Sequence, residues 1–393
     1  NFTTGRRLCW YDPNTEKCMV KQIEPENEDW EKDFEYWTNN VTSENFLNYL
    51  DLADETEQRK PKDKEPGNAK ENMDSFIKEL PDDLDARIKK ATDTLCIDEK
   101  YIRQIIHHLD SGRHVLIGGA IGTGKSTLVR EFLGGLWDDG GYEIDMVTAT
   151  DEWSTVDVIG GIMPDISEKD LKYKFEDGCL TKAVSSFLNQ IKFPVSNGKL
   201  AWLAIDEFNR ADIEKAFGQL FTAIEDGKLR IPGRVTNRGK EEELEIPRQF
   251  RIIGMLNTSD KHHLYRLHDA LKRRFAYVEI ETPTRNDRKK EIDTAFNNAV
   301  KASRSPDTGY SSVRAQIAGQ MDTAYEMLAA IRTFKGLGTA ILKVIYQELI
   351  AGEQRSSLLQ NTNTGDEVLH WSLTANLLPQ LQGTNRKTLE VFE

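Results

Sequence analysis

Residues 118–127 read Gly-Gly-Ala-Ile-Gly-Thr-Gly-Lys-Ser-Thr and hold a complete Gly-x-x-x-x-Gly-Lys-Ser pattern from Gly119 to Ser126. No other stretch restricts the fold as much, because the pattern works only between a strand and a helix. Glycines let the backbone curl so that several N–H groups face one anion. Gly119, Ala120, Ile121, Gly122, Thr123, Gly124 and Thr127 are the expected phosphate-binding positions. Lys125 adds a point charge for the β- and γ-phosphates of a nucleotide, and the Ser126 hydroxyl is a ligand for Mg²⁺. The flanks agree. His114-Val115-Leu116-Ile117 is a short apolar strand candidate, and Thr127 to Leu133 reads as a helix start.

Composition bounds the rest. With 393 residues there is room for two or three domains and a substantial core. No apolar run approaches the roughly 18 residues of a membrane span. A net charge of −13 argues against a broadly basic nucleic-acid surface, although a local basic groove remains compatible with it. Cys9, Cys18, Cys96 and Cys179 are scattered without a C-x-x-C pair, which reads as reduced thiols and leads to the expectation of a cytoplasmic protein. The first residue is Asn1, so a fragment or processed product is expected. Three Asn-x-Ser/Thr triplets, at Asn1, Asn40 and Asn257, read as accidental for an intracellular chain.

Along the chain, residues 1–50 are rich in aromatics, among them Trp10, Trp30, Trp37 and Phe46, and read as an N-terminal segment or the remnant of a domain. Residues 51–81 are charged and linker-like. From 82 to 285, helical patterns alternate with strand-like runs at 114–117, 142–148, 201–205, 250–256 and 276–280. That alternation predicts an α/β fold, a parallel sheet between helical layers. After Pro283 the pattern is helical, so 286–393 is expected to be an all-helical subdomain.

Two further constellations carry chemistry. The apolar run Ala201 to Ile205 stops at Asp206 and Glu207. A buried strand ending in two acids places them at the C-terminal sheet edge, where open α/β sheets bind ligands. Asp206 is expected to share Mg²⁺ with Ser126, and Glu207 to polarise the attacking water. A second buried run, Phe250 to Leu256, ends at Asn257, an amide placed to orient that water or touch the γ-phosphate. Arg273 and Arg274 precede the last strand. They are poorly placed for the nucleotide at Lys125 of their own chain and suited to reach a neighbour's, where a guanidinium stabilises the transferred phosphoryl group.

Taken in order, these four features resemble AAA+ ATPases over about residues 82–285, with a helical lid following. The long gap from Lys125 to Asp206 contains Thr148 to Gly161 and Phe175 to Gly178, similar to the helix-2 insertion of the MoxR and McrB branch. Ile205-Asp206-Glu207-Phe208-Asn209-Arg210-Ala211 is similar to that branch's acidic box, and Leu229 to Gly233 with Ile246-Pro247 resembles its hairpin before the sensor strand. Met255 to Asp260 is similar to the Met-Asn-Thr-x-Asp signature of McrB-like proteins, and Ala270 to Phe275 fits their Arg-rich turn. Through this resemblance Asp260 joins the nucleotide-binding positions. Lys261 and Lys272 stand where arginines are common in the family, and Thr339 stands where a lid arginine is sought, with Arg332 or Lys335 as the candidate substitute.

The resemblance implies a ring, expected to be hexameric, that hydrolyses GTP or ATP with Mg²⁺. It also implies a McrC-like nuclease as partner, with contact to modified DNA through the complex or an N-terminal domain. Lys169, Lys172 and Lys174 are candidates to face the pore, or else a solvated loop. A MoxR-type chaperone acting on a protein, and a scaffold that binds nucleotide with little hydrolysis, are the competing readings.

Overall fold

The computed structural model describes residues 78–138, 141–165, 172–192, 199–235, 241–258, 269–303, 310–354 and 364–381, together with three strands near the start of the chain. The aromatic positions Trp30, Trp37 and Phe46, the charged stretch 51–77, Lys169 and Asp260 lie outside the described residues. The chain divides into two units, Asn1–Asn72 and Met73–Glu393. In the first, β1 (Phe2–Thr4), β2 (Arg7–Asp12) and β3 (Lys17–Gln22) form an antiparallel sheet in that order.

The second unit opens with two helices, α1 (Leu84–Leu95) and α2 (Glu99–Asp110). The start of α2 is fixed by Asp98, whose side chain accepts from the Lys100 N–H at 2.9 Å. Its residues Ile102, Ile105, Ile106 and Leu109 recur at one helical face, and all are buried. Next comes β4 (His114–Gly119), buried at every position, and then α3 (Lys125–Thr127). The expected helix continues only as a π turn over Leu128–Phe132 and a 3-10 turn over Leu133–Leu136. Gly134 lies against the backbone of Tyr142, where a Cβ would come within 2.2 Å of the Tyr142 carbonyl oxygen.

The chain then runs through β5 (Glu143–Thr148), α4 (Thr155–Val158), β6 (Gly160–Asp165), β7 (Lys172–Asp177), α5 (Cys179–Lys192) and β8 (Ala201–Asp206). Helix α6 (Ile213–Asp226) is capped by Asp212 and ends at Gly227 in the left-handed conformation. After it come the hairpin β9 (Lys228–Val235) and β10 (Glu241–Glu245), then β11 (Ile252–Asn257), α7 (Asp269–Arg274) and β12 (Phe275–Ile280).

Five of these strands form one parallel sheet, in the order β12-β4-β11-β8-β5. This is the α/β architecture expected from the alternating pattern, with the flanking helices packed into one core that runs from Ile88 to Ile280. The region read as an insertion contains the antiparallel pair β6–β7. The register aligns the strand ends that matter. Asn257 pairs with Gly119, and Asp206 with Thr148.

The remaining helices are α8 (Arg288–Ala302), α9 (Tyr310–Gln316), α10 (Ala318–Ile331), α11 (Ala340–Gln354) and α12 (Thr364–Ser372). They enclose a separate apolar core, from Ala295 to Leu377. Among the described residues no helix is long and apolar enough to cross a membrane.

One core residue makes stability depend on pH. His114 is buried at the start of β4, and its Nδ1 accepts from the Ile252 N–H at 3.0 Å. Burial, reinforced by the Arg251 guanidinium, pushes its pKa down from 6.5 to about 3. Between those values the unfolded chain binds a proton that the folded chain does not, so stability rises with pH and is lost as pH falls below 6.5. Replacing His114 by Asn should flatten the stability profile between pH 6.5 and 5, by up to about 1.4 kcal/mol per pH unit relative to wild type. Denaturant melts across that range measure it, and parallel profiles would reject the assignment.

Candidate active site

The aligned strand ends bring the separated motifs together. The loop after β4 turns back on itself at Gly122 (φ 80°) and Gly124 (φ 87°), conformations that favour glycine. The Thr123 hydroxyl donates to the Ala120 carbonyl at 2.9 Å, and the Leu128 N–H bonds to Gly124 O at 2.8 Å. Lys125, only 6% exposed, is thereby held in the centre. Its ammonium donates to the carbonyls of Gly119 (2.7 Å) and Ala120 (2.9 Å) and to Asn257 Oδ1 (3.1 Å). Burial lowers its pKa to about 8, and the nearby Asp206 and Glu207 carboxylates oppose that shift.

Ser126 Oγ donates to Asp206 Oδ2 at 2.8 Å. Mg²⁺ in phosphate sites takes one or two protein oxygens and completes its shell with phosphate and water. A hydroxyl and a carboxylate this close, at the edge of the phosphate loop, fit that requirement. Asp206 Oδ1 accepts from the Glu207 N–H at 2.9 Å, which fixes the carboxylate's orientation.

Glu207 sits at φ 53°, a left-handed conformation that costs a non-glycine residue about 1 kcal/mol. Flanking hydrogen bonds hold it there, from Phe208 N–H to Met255 O at 2.9 Å and from Arg210 N–H to Glu207 O at 2.8 Å. Its side chain is gripped at both oxygens. Asn257 Nδ2 donates to Oε1 at 2.8 Å, and Arg210 Nε stands 3.3 Å from Oε2. Asn257 therefore bridges Lys125 and Glu207, placing the amide between the expected phosphate position and the expected base.

Arg273 and Arg274 belong to α7, on the β12 side of the sheet. Arg274 pairs with Glu225 and stacks over the Phe221 ring of α6. Arg273 is exposed. Of the two cations near the expected lid position, Arg332 is turned into a buried pair with Glu291, and Lys335 donates to the Gln380 carbonyl.

Two contacts were not legible beforehand. Arg210 was visible only as part of a motif, and its pairing with Glu207 depends on the turn after β8. The approach of residues 336–340 to the phosphate loop leaves only a Gly-Leu-Gly-Thr string in the sequence, which reads as a turn.

Residues 114–275 match the family model for the AAA domain of the dynein-related subfamily. Over 198 residues the chain is 27% identical to the type IV methyl-directed restriction enzyme EcoKMcrB subunit of Escherichia coli (strain K12). That alignment covers 49% of this chain and 41% of the relative, so the chain spans less than half the relative's length.

Proposed function

We infer, from the premise that residues 114–275 form an AAA+ P-loop nucleoside-triphosphatase domain related to McrB, that the chain is a ring-forming motor subunit in modification-dependent DNA restriction. The observation that carries the reading is the hydrogen-bonded set Ser126–Asp206 and Lys125–Asn257–Glu207 at one sheet edge. It separates the metal-holding and water-handling groups around one phosphate position.

In this proposal Gly119 to Thr127 bind the phosphates of GTP or ATP, and Ser126 with Asp206 holds Mg²⁺. Bound Mg²⁺ supplies charge neutralisation on the phosphate oxygens. Glu207 accepts a proton from water as the water oxygen bonds to the γ-phosphorus. The bond from that phosphorus to the β-bridging oxygen then breaks, giving nucleoside diphosphate and phosphate. Asn257 aligns the water, and Arg273 with Arg274 serves the neighbour's nucleotide.

The proposed organisation is an N-terminal segment (1–50), a linker (51–81), the nucleotide-binding subdomain (82–285) and a lid (286–393). A hexameric ring, a McrC-like nuclease as partner, DNA reached through the complex or an N-terminal domain, and a cytoplasmic setting complete the reading.

The test is hydrolysis of GTP and ATP, each with methylated duplex, unmethylated duplex, or no DNA, and with or without the nuclease subunit. The expected result is turnover of at least one nucleotide, raised by the nuclease, with the assembled complex favouring methylated DNA. Turnover indifferent to both DNA and nuclease would assign a MoxR-type chaperone instead. No turnover under any condition would leave a nucleotide-binding scaffold.

A further inference from the structure

The loop joining α10 to α11 touches the phosphate loop through backbone atoms. Gly338 N–H donates to the Ile121 carbonyl at 2.8 Å, and Ala340 N–H to the Gly122 carbonyl at 3.1 Å. Leu337 and Ile121 form a parallel bridge. A Cβ on Gly338 would stand 2.0 Å from the Gly122 carbonyl carbon, so only glycine brings the two loops this close. In a planar trans peptide the N–H points opposite to the C=O, and the described chain has no cis bond. Anchoring the carbonyls of Ile121 and Gly122 on the lid therefore turns the N–H groups of Gly122 and Thr123 away from it, and the Thr123 N–H reaches the Ala120 carbonyl of the same loop at 3.4 Å.

The lid loop is itself fixed from behind. Arg332 Nε donates to the Leu337 carbonyl at 2.7 Å. Its Nη1 and Nη2 donate to Glu291 Oε2 and Oε1 at 2.8 and 2.5 Å, a bidentate pair. The Thr339 hydroxyl donates to the same Glu291 Oε1 at 2.8 Å. Arg332 Nη1 also reaches the Pro283 carbonyl at 3.3 Å, in the segment leading from β12 to the lid helices. Glu291 is fully buried and the Arg332 side chain is 8% exposed.

We propose that Arg332, Glu291 and Thr339 are positioning residues for triphosphate binding, holding Gly336–Ala340 against the phosphate loop and so presetting the loop's backbone, the Gly122 amide above all. Arg332 acts through the loop and not on a phosphate. The proposal rests on the nucleotide-binding reading of the Lys125 site.

Equilibrium titration with fluorescent GTP and ATP analogues tests it, alongside steady-state kinetics. Thr339→Val keeps the side-chain shape and removes the hydroxyl, and Thr339→Ser restores it. The Val variant should bind about tenfold more weakly, with KM raised to match and kcat within about twofold, and the Ser variant should recover. Gly338→Ala forces the loops apart and should cost about a hundredfold in affinity. If that variant fails to fold, the Thr339 pair decides alone. Wild-type affinity in Thr339→Val, while the parent protein binds normally, overturns this proposal and leaves the site reading intact. A parent protein that binds neither analogue overturns both.

Discussion

Glu207→Gln should reduce hydrolysis by about 10²–10⁴-fold while leaving nucleotide affinity within a few-fold of wild type. The split follows from what the side chain touches. Asn257 Nδ2 donates to Glu207 Oε1 at 2.8 Å, and a glutamine oxygen accepts that bond equally well. The shape of the site is therefore kept, and the phosphate loop is untouched. What disappears is a carboxylate able to take a proton from water. The strained backbone at Glu207 (φ 53°) fits this role, because it is kept in place by neighbouring bonds and not by local preference. Single-turnover hydrolysis and equilibrium binding separate the two effects. A turnover rate within tenfold of wild type would remove Glu207 from the role of water activator. Loss of binding instead would make it a structural residue of the loop.

The contrast between what could and could not be read in advance follows from sequence distance. The five sheet strands were legible because each is a short apolar run bounded by polar or glycine residues. Their boundaries moved by only one or two residues, as where Phe250 and Arg251 fall before β11. Arg251 is buried there, with its guanidinium bonded to the Leu109 carbonyl at 2.8 Å. The pairing of Ser126 with Asp206 was legible too, since Ser126 follows the loop that leaves β4 and Asp206 ends β8 at the same sheet edge.

Contacts made by tertiary approach were not legible. The helix start at Thr127 to Leu133 carries no local sign that it runs on as a π turn and then a 3-10 turn. Arg332 reads as a spare lid cation, but its partner Glu291 lies 41 positions away on another helix. Nothing local in either residue announces a buried pair.

A protein carrying Arg273→Ala should lose hydrolysis by about 10³–10⁵-fold, and mixing it with the Glu207→Gln protein should restore activity. The two arginines differ in their surroundings. Arg274 is engaged with Glu225 and Phe221 on its own chain, so its replacement is expected to act partly through the packing of α7 on α6. Arg273 is exposed and is the better candidate to cross an interface. In a closed ring with head-to-tail contacts, every site joins one surface of a subunit to a different surface of the next. An Arg273→Ala subunit keeps an intact Glu207 but lacks the arginine its neighbour needs. A Glu207→Gln subunit has the reverse defect. In a random equal mixture about one interface in four pairs an intact Glu207 with an intact Arg273, so about a quarter of wild-type turnover is expected if sites act independently. Adding an inactive protein carrying both substitutions to either parent supplies no complete interface and serves as the control. Mixed rings that stay inactive, with subunit exchange verified by fluorescence transfer, would place Arg273 and Glu207 in the same site of one chain, and an Arg273→Ala protein that keeps wild-type turnover would leave Arg273 a surface residue.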